Sequence, residues 1–145
     1  MIAISSDHGG FELKERIVKY LAKKGYEFED LGTFNTDSVD YPDYALKAAE
    51  GVAEGKYDKG IVLCGTGIGI SIAANKVHGI RAALCTDSYM ARMSRQHNNA
   101  NILALGGRVL GDELAIDIVE TWLNTDFLGG RHKIRIDKIA NIEKK

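Results

Sequence analysis

Ile61-Val62-Leu63-Cys64-Gly65-Thr66-Gly67-Ile68-Gly69-Ile70-Ser71 is an apolar run that ends in a cysteine and continues with glycine at alternate positions. A short continuous apolar run closed by a turn signal reads as a strand buried on both faces, the kind that builds parallel sheets. The glycines mark a loop of nearly bare backbone, and Ile68 to about Val77 then reads as a helix. Strand, glycine loop and helix in that order form the repeating unit of an α/β fold.

The same alternation continues on both sides. Residues 1–6 read as a buried strand. Residues 10–24 read as a helix with Leu13, Ile17, Tyr20 and Leu21 on one face and Gly25 as its stop. Phe28 to Leu31 is a second, shorter strand, and Gly32 to Tyr41 is a polar loop. Residues 42–54 form a helix opened by Pro42, with Ala45, Ala48, Ala49, Val52 and Ala53 as a small-residue face. Beyond the quoted stretch, Ile80 to Cys85 is strand four, Ser88 to Gln96 a helix behind a Thr86-Asp87 cap, and Ile102 to Leu105 strand five. Asp112 to Leu123 is a helix with Leu114, Ala115, Ile118, Val119, Trp122 and Leu123 inward, and a last amphipathic helix runs from about Arg131 to the tail. Met90 and Met93 read as core filler. The expected fold is a three-layer α/β/α sandwich, a Rossmann-like five-stranded parallel sheet with helices on both faces, in one domain over residues 1–145.

Composition narrows the functional classes. The chain is 45% hydrophobic and 27% charged with a net charge of -1, so no global basic field points to nucleic acid or an anionic membrane. Two cysteines, Cys64 and Cys85, make no disulfide framework and no zinc spacing. Asp37, Asp40 and Asp43 have no matching histidines and read as solvated or capping residues, so no metal is expected. Met1 to Asp7 is too short and too acidic for a signal peptide or a membrane span. The expectation is a reduced, cytoplasmic protein.

Ligands of parallel α/β sheets bind outside the carboxyl ends of the strands. That edge should carry Asp7 and His8 after strand one, Cys64 and its glycines after strand three, Thr86 and Asp87 after strand four, and Gly106, Gly107 and Arg108 after strand five. The loop after Cys64 spells G-x-G-x-G. A dinucleotide fingerprint needs glycine where Ile70 stands, and a phosphate-binding P-loop needs an absent G-K-[ST]. A cysteine-phosphatase loop would place arginine near Ile70 and Ser71. What remains is a loop whose free N–H groups can stabilise a negative oxygen. A thiolate beside such donors can take a proton from carbon next to a carbonyl and leave an enediolate. The other reading of Cys64 is a small buried hydrophobe; Cys85 takes that reading. Thr66 either binds a substrate oxygen or caps the helix. Asp7 either meets a sugar hydroxyl or caps the first helix, and His8 is placed to meet an anion.

Arg131 and Arg135 lie four residues apart at the start of the last helix, where cations oppose the macrodipole. An anion would offset them, and the arginine fork suits phosphate. Arg108 is a further phosphate candidate. Gln96-His97-Asn98-Asn99-Ala100-Asn101 leads into strand five, so it should lie at the amino edge, opposite the other candidates. Either that loop folds over or His97 serves a partner's site, which points to a dimer with shared sites. The alternative is a helix C-cap with asparagine in the left-handed region.

Ser6-Asp7-His8-Gly9-Gly10, Tyr41-Pro42-Asp43-Tyr44-Ala45, Cys64-Gly65-Thr66-Gly67-Ile68-Gly69 with Ala73-Ala74-Asn75-Lys76, and Arg95-Gln96-His97-Asn98-Asn99-Ala100-Asn101 together resemble the type B ribose-5-phosphate isomerases of the ribose/galactose sugar-phosphate isomerase family. The resemblance implies a metal-independent, cofactor-free aldose–ketose isomerase that interconverts ribose 5-phosphate and ribulose 5-phosphate through a cis-enediol. It implies Cys64 as the base, Gly65, Gly67 and Gly69 as a backbone anion hole, and Thr66 and His97, with Asp7 nearby, as the residues assisting ring opening. His8, Arg108, Arg131 and Arg135 match phosphate-binding positions, and Asn98 a substrate contact. One branch of the family uses a glutamate where Ile70 stands; this chain fits the cysteine-using branch. The resemblance also implies a homodimer with sites shared between subunits, or a tetramer built from it. Allose 6-phosphate and galactose 6-phosphate are the alternative substrates, and a non-catalytic sugar-phosphate binding module is the alternative class.

Overall fold

The computed structural model describes residues 1–145. Five strands, β1 (Ile2–Ser6), β2 (Phe28–Asp30), β3 (Lys59–Cys64), β4 (Ala82–Leu84) and β5 (Ile102–Gly106), form one sheet in the order β2-β1-β3-β5-β4. Every pairing is parallel, with Ile4 opposite Ile61 and Ile61 opposite Leu103. Six helices connect and follow them: α1 (Phe11–Lys23), α2 (Tyr41–Ala53), α3 (Ile68–Ala74), α4 (Ser88–Gln96), α5 (Asp112–Leu123) and α6 (Arg131–Ile142). A 3-10 turn over His8–Gly10 leads into α1.

Side chains alternate across a strand, and the sheet uses both faces. Ile2, Ile4, Ile61, Leu63, Leu103 and Leu105 face α1 and α5, where Ile17, Leu21, Ile118 and Trp122 complete one core. Ala3, Val62, Cys64, Ile102 and Ala104 face α2 and α3, with Ala45, Ala48, Ala49, Ile70 and Ala74. The sandwich is therefore three-layered, as the alternating pattern predicts. The alanine face of α2 is small because α2 and α3 must both fit over that side of the sheet.

Helix ends follow their local chemistry. Asp87 caps α4 by accepting from the Met90 amide at 2.7 Å, and Gly25 ends α1 with a φ of +79°. Two expectations need correction. Leu114 is 42% exposed rather than inward, because it sits on the outer side of α5. Met90 is 39% exposed rather than core filler, and its sulfur accepts from the Thr86 hydroxyl. Asp40 precedes α2, makes no side-chain cap bond and is exposed, as its solvated reading has it. Lys14 is a further departure from simple patterning. It is fully buried on the inner face of α1, where its ammonium meets Asp30 at 2.7 Å, Glu15 at 3.1 Å and the faces of Phe11 and Phe34. Asp30 also accepts the Gly32 amide, so this ion pair ties α1 to the chain leaving β2.

Gly10 shows how tightly α1 approaches the sheet. A Cβ there would lie 2.6 Å from the Leu63 Cβ and 2.8 Å from its carbonyl carbon. Gly10→Ala should therefore destabilise the fold by about 1–3 kcal/mol. Gly111→Ala, with open space around it and a φ of -76°, should stay within about 0.5 kcal/mol of wild type. Urea unfolding midpoints of the two variants check the contrast; equal midpoints would contradict it.

Candidate active site

The chain adds β2 on one side of β1 and then returns to place β3 on the other, so the carboxyl ends of β1 and β3 flank the crevice of the sheet. Three loops meet there backbone to backbone. A Cβ at Gly9 would lie 3.0 Å from the Gly65 nitrogen, one at Gly107 would lie 2.6 Å from the Gly9 oxygen, and one at Gly106 would lie 2.6 Å from the Thr66 oxygen. Hydrogen bonds seal this contact: Gly107 N–H to Cys64 O at 2.8 Å, Arg108 N–H to Gly65 O at 2.9 Å, and Asp7 N–H to Leu63 O at 3.1 Å. Gly67 has a φ of +80°, and a Cβ there would strike Leu84 and the Leu105 carbonyl carbon, so only glycine fits.

Cys64 is the last residue of β3 and is 5% exposed. Its sulfur accepts from the Gly67 amide at 3.2 Å. The amides of Gly65, Thr66, Gly69 and Ile70 have no acceptor within the chain. Thr66 Oγ1 accepts from the Ile68 amide at 3.1 Å, so it caps α3, and its own O–H stays free to donate. Arg108 crosses this loop, with Nη1 3.1 Å from where a Gly65 Cβ would sit, and it pairs with no carboxylate. The bare Cα of Gly69 has another cause: the Tyr41 ring occupies the space its Cβ would take, at 2.8 Å. Tyr41, quoted above within the Tyr41-Pro42-Asp43-Tyr44-Ala45 motif but given no role there, thus stands beside the glycine loop. Cys85 is the contrasting thiol. Burial, above all, pushes it up to about 11, and it is 1% exposed.

Asp7 is buried and caps the 3-10 turn, its carboxylate accepting from the Gly10 amide at 3.1 Å. The capping reading therefore holds for one of its oxygens. His8 accepts the Val39 amide on Nδ1 at 3.2 Å. A neutral ring so held carries its proton on Nε2. The loop of residues 31–40 is anchored for this: Gly32 O accepts from Ser6, and the Thr33 amide donates to Ser6 O.

The remaining candidates lie at the other edge. Asn101 O accepts from Gly60 at the start of β3, and its side chain accepts the Arg81 amide ahead of β4, so the turn carrying His97 and Asn98 lies under the amino ends of the strands. His97 stacks on His132, with ring centroids 4.2 Å apart and 12° between planes. That contact brings the first turn of α6, and with it Arg131 and Arg135, to the same edge. Desolvation, then His97, Arg131 and Arg135, lower His132 below the usual histidine range. His132 was legible only as part of a basic run; its burial against His97 has no local signature. Strands of five or six residues at about 3.3 Å each separate the two edges by roughly 15–20 Å. Asp7, His8, Cys64, Thr66, the glycines and Arg108 are thus brought together within the chain. His97, Asn98, Arg131 and Arg135 form a second group that does not join them.

The His8 assignment predicts an Nε2–H tautomer near neutral pH, visible in long-range 15N–1H correlation spectra of the imidazole. Val39→Pro, which lacks the amide, should give mixed tautomers. An Nδ1–H ring in the wild-type chain would overturn the assignment. Alkylation near pH 8, followed by peptide mapping, should leave Cys85 unmodified in the folded chain and modify it in urea. The sign for stability follows: the unfolded Cys85 thiol ionises near its ordinary value of 9.0 while the folded one holds its proton to about 11, so this group's contribution falls as pH rises through that window.

No helix of the chain is long and apolar enough to cross a membrane. Residues 2–139 match the family model described as Ribose/Galactose Isomerase. Ribose-5-phosphate isomerase B of Escherichia coli K12 is 51% identical over 144 residues, which cover 99% of this chain and 97% of that protein. A solved ribose-5-phosphate isomerase B from Clostridium thermocellum superposes with a TM-score of 0.98 at 65% identity, covering 99% of this chain and 97% of that one. The Mycoplasma genitalium ribose-5-phosphate isomerase B, solved with bound ribulose-5-phosphate, superposes with a TM-score of 0.95 at 44% identity, covering 99% and 96%. Fold, loop geometry and these matches agree, and the chain belongs to the ribose/galactose isomerase family.

Proposed function

We propose that the chain is an isomerase that interconverts ribose 5-phosphate and ribulose 5-phosphate through a cis-enediolate, with the Cys64 thiolate as base. The observation that carries this reading is the placement of Cys64: a thiol at the end of a central strand, facing a loop whose free amides can receive a negative oxygen. Family membership supplies the reaction class.

The steps balance without a cofactor. Ring opening moves the O1 proton away and delivers one to O4 as the C1–O4 bond breaks. The thiolate then takes the proton from C2, and the electrons flow to O1, where the loop amides stabilise the charge. The same proton returns to C1 while the O2 proton passes to O1, giving the ketose. Thr66, with its O–H free, and His97, with Asp7 nearby, serve ring opening. His8, Arg108, Arg131 and Arg135 hold the phosphate, and Asn98 contacts the sugar.

Supporting a homodimer is the division of these residues between two edges, too far apart for one small sugar phosphate to reach both. A second copy would bring its His97 edge to the first copy's Cys64. Exposed Ile68 and Ile72 on α3, and Ile139 and Ile142 on α6, are apolar surface for such a contact. The proposed setting is the cytoplasm, where two unpaired thiols stay reduced.

Ribulose 5-phosphate carries phosphate on O5 and cannot close a five-membered ring, so its reaction bypasses ring opening. Cys64→Ala should lower ribose 5-phosphate turnover about 10²–10⁴-fold and abolish deuterium incorporation at C1 of ribulose 5-phosphate in D2O. His97→Asn should slow turnover of the aldose and leave that exchange nearly intact. Both are measured in excess chelator. Turnover persisting in Cys64→Ala would refute the base; turnover of allose 6-phosphate or galactose 6-phosphate in place of ribose 5-phosphate would replace the substrate.

A further inference from the structure

Two arginines direct their donors onto a single irregular turn. Arg81, half-buried just ahead of β4, donates Nε to both Asn98 O at 3.1 Å and Asn99 O at 3.0 Å. Arg95, 7% exposed in the last turn of α4, donates Nη1 to Ala100 O at 2.6 Å and to the Asn99 side-chain oxygen at 3.0 Å, and Nε to Thr125 O at 3.2 Å. The backbone ties the same pieces together: the Arg81 amide donates to the Asn101 side chain at 2.8 Å, and Arg81 O accepts from Asn101 at 3.1 Å. Asn99 sits between the two guanidinium groups with a φ of +46°.

Neither arginine forms an ion pair. Withdrawing a cation from water with no carboxylate in contact is unfavourable unless its donors find other acceptors, and here the turn supplies them. What a guanidinium adds is geometry. Its planar donors make charge-assisted bonds in fixed directions, here to oxygens that the backbone bonds of the α4 C-terminus (His97 N–H to Met93 O, Asn99 N–H to Arg95 O, Ala100 N–H to Ser94 O) leave without a partner. That turn bears His97 and Asn98. Backbone bonds to α4 hold the amides of His97, Asn99 and Ala100, and the His97–His132 stack constrains the ring; the arginines take the carbonyls.

We propose that Arg81, together with Arg95, is a positioning residue that holds the 97–101 turn so that His97 and Asn98 meet the sugar in a fixed geometry. This rests on the isomerase reading for the role of His97. The clamp itself stands apart from that reading and is tested both with and without substrate.

Without substrate, the His97 ring protons report the turn, because stacking on His132 shifts them. Arg81→Lys replaces the Nε–H shared by the two carbonyls with a rotating ammonium and should move these resonances toward unstacked values. With substrate, Arg81→Lys should lower ribose 5-phosphate turnover about 10- to 100-fold. In a His97→Asn background the same substitution should change turnover less than about twofold, because both act through one group. Asn99→Gly accepts the positive φ and removes one of the three Arg95 acceptors, so it should fold readily and give a smaller loss with the same non-additivity. It carries the test should Arg81→Lys not fold. Unchanged His97 resonances with wild-type turnover in Arg81→Lys, or losses that multiply in the double variants, would overturn the proposal. Shifted His97 resonances in Arg81→Lys, together with a wild-type chain that turns over no sugar phosphate, would leave the clamp standing and defeat the isomerase reading instead.

Discussion

Three loops at the carboxyl edge of the sheet touch through their backbones, with no side chain between them. The site depends on this contact. Gly9 lies against Gly65, Gly107 against Gly9, and Gly106 against Thr66, and a methyl group at Gly106 or Gly107 would part the loops. Close approach lets β1, β3 and β5 end in one crevice. It also aligns the Cys64 and Gly65 carbonyls with the amides of Gly107 and Arg108, so the loop after β3 is braced from its neighbour. Cys64 then occupies the last rigid position before bare backbone. A reacting group on a central strand is held more closely than one on a free loop.

The same sheet geometry divides the chemistry. Parallel strands send every strand-to-helix loop to one edge and every helix-to-strand loop to the other. Asp7, Cys64, Thr66 and Arg108 belong to the first kind, and His97 and Asn98 to the second. No adjustment of loop conformation within one chain removes a separation set by strand length. The unpaired Arg108 guanidinium and the loop amides lie on one edge, and the arginines of α6 on the other; the proposed homodimer would join them. The apolar surface of α3 and α6 is suited to that association, because Ile72, Ile139 and Ile142 remain more than 45% exposed in the single chain.

Polar groups in the interior serve this arrangement more than they serve the core. Lys14 and Asp30 tie the start of the 31–40 loop to α1, and that loop delivers the Val39 amide to His8. Arg95 and Arg81 hold the opposite turn. Buried cations contribute little net stability, and an apolar residue would suit a core better. Each fixes irregular backbone next to a candidate site residue.

Element identity and edge assignment were legible in the sequence, because each follows from local periodicity. Short continuous apolar runs defined the strands, the 3.6-residue period defined the helices, and parallel connectivity then assigned Cys64 and His97 to opposite edges. The helices over Ser88–Gln96 and Asp112–Leu123 are bounded by capping and apolar spacing alone. Leu114 and Met90 escaped because a helix face is fixed by what lies beside it, which periodicity does not report. Only the tertiary structure assigned the reason for each glycine, the Tyr41 ring over Gly69, the His97–His132 stack and the buried Lys14. Each of these is a contact between residues far apart in the chain, and such contacts exist only once the sheet order has been chosen. The sequence by itself determined which groups could do chemistry and on which edge; the folded sheet decided which of them meet.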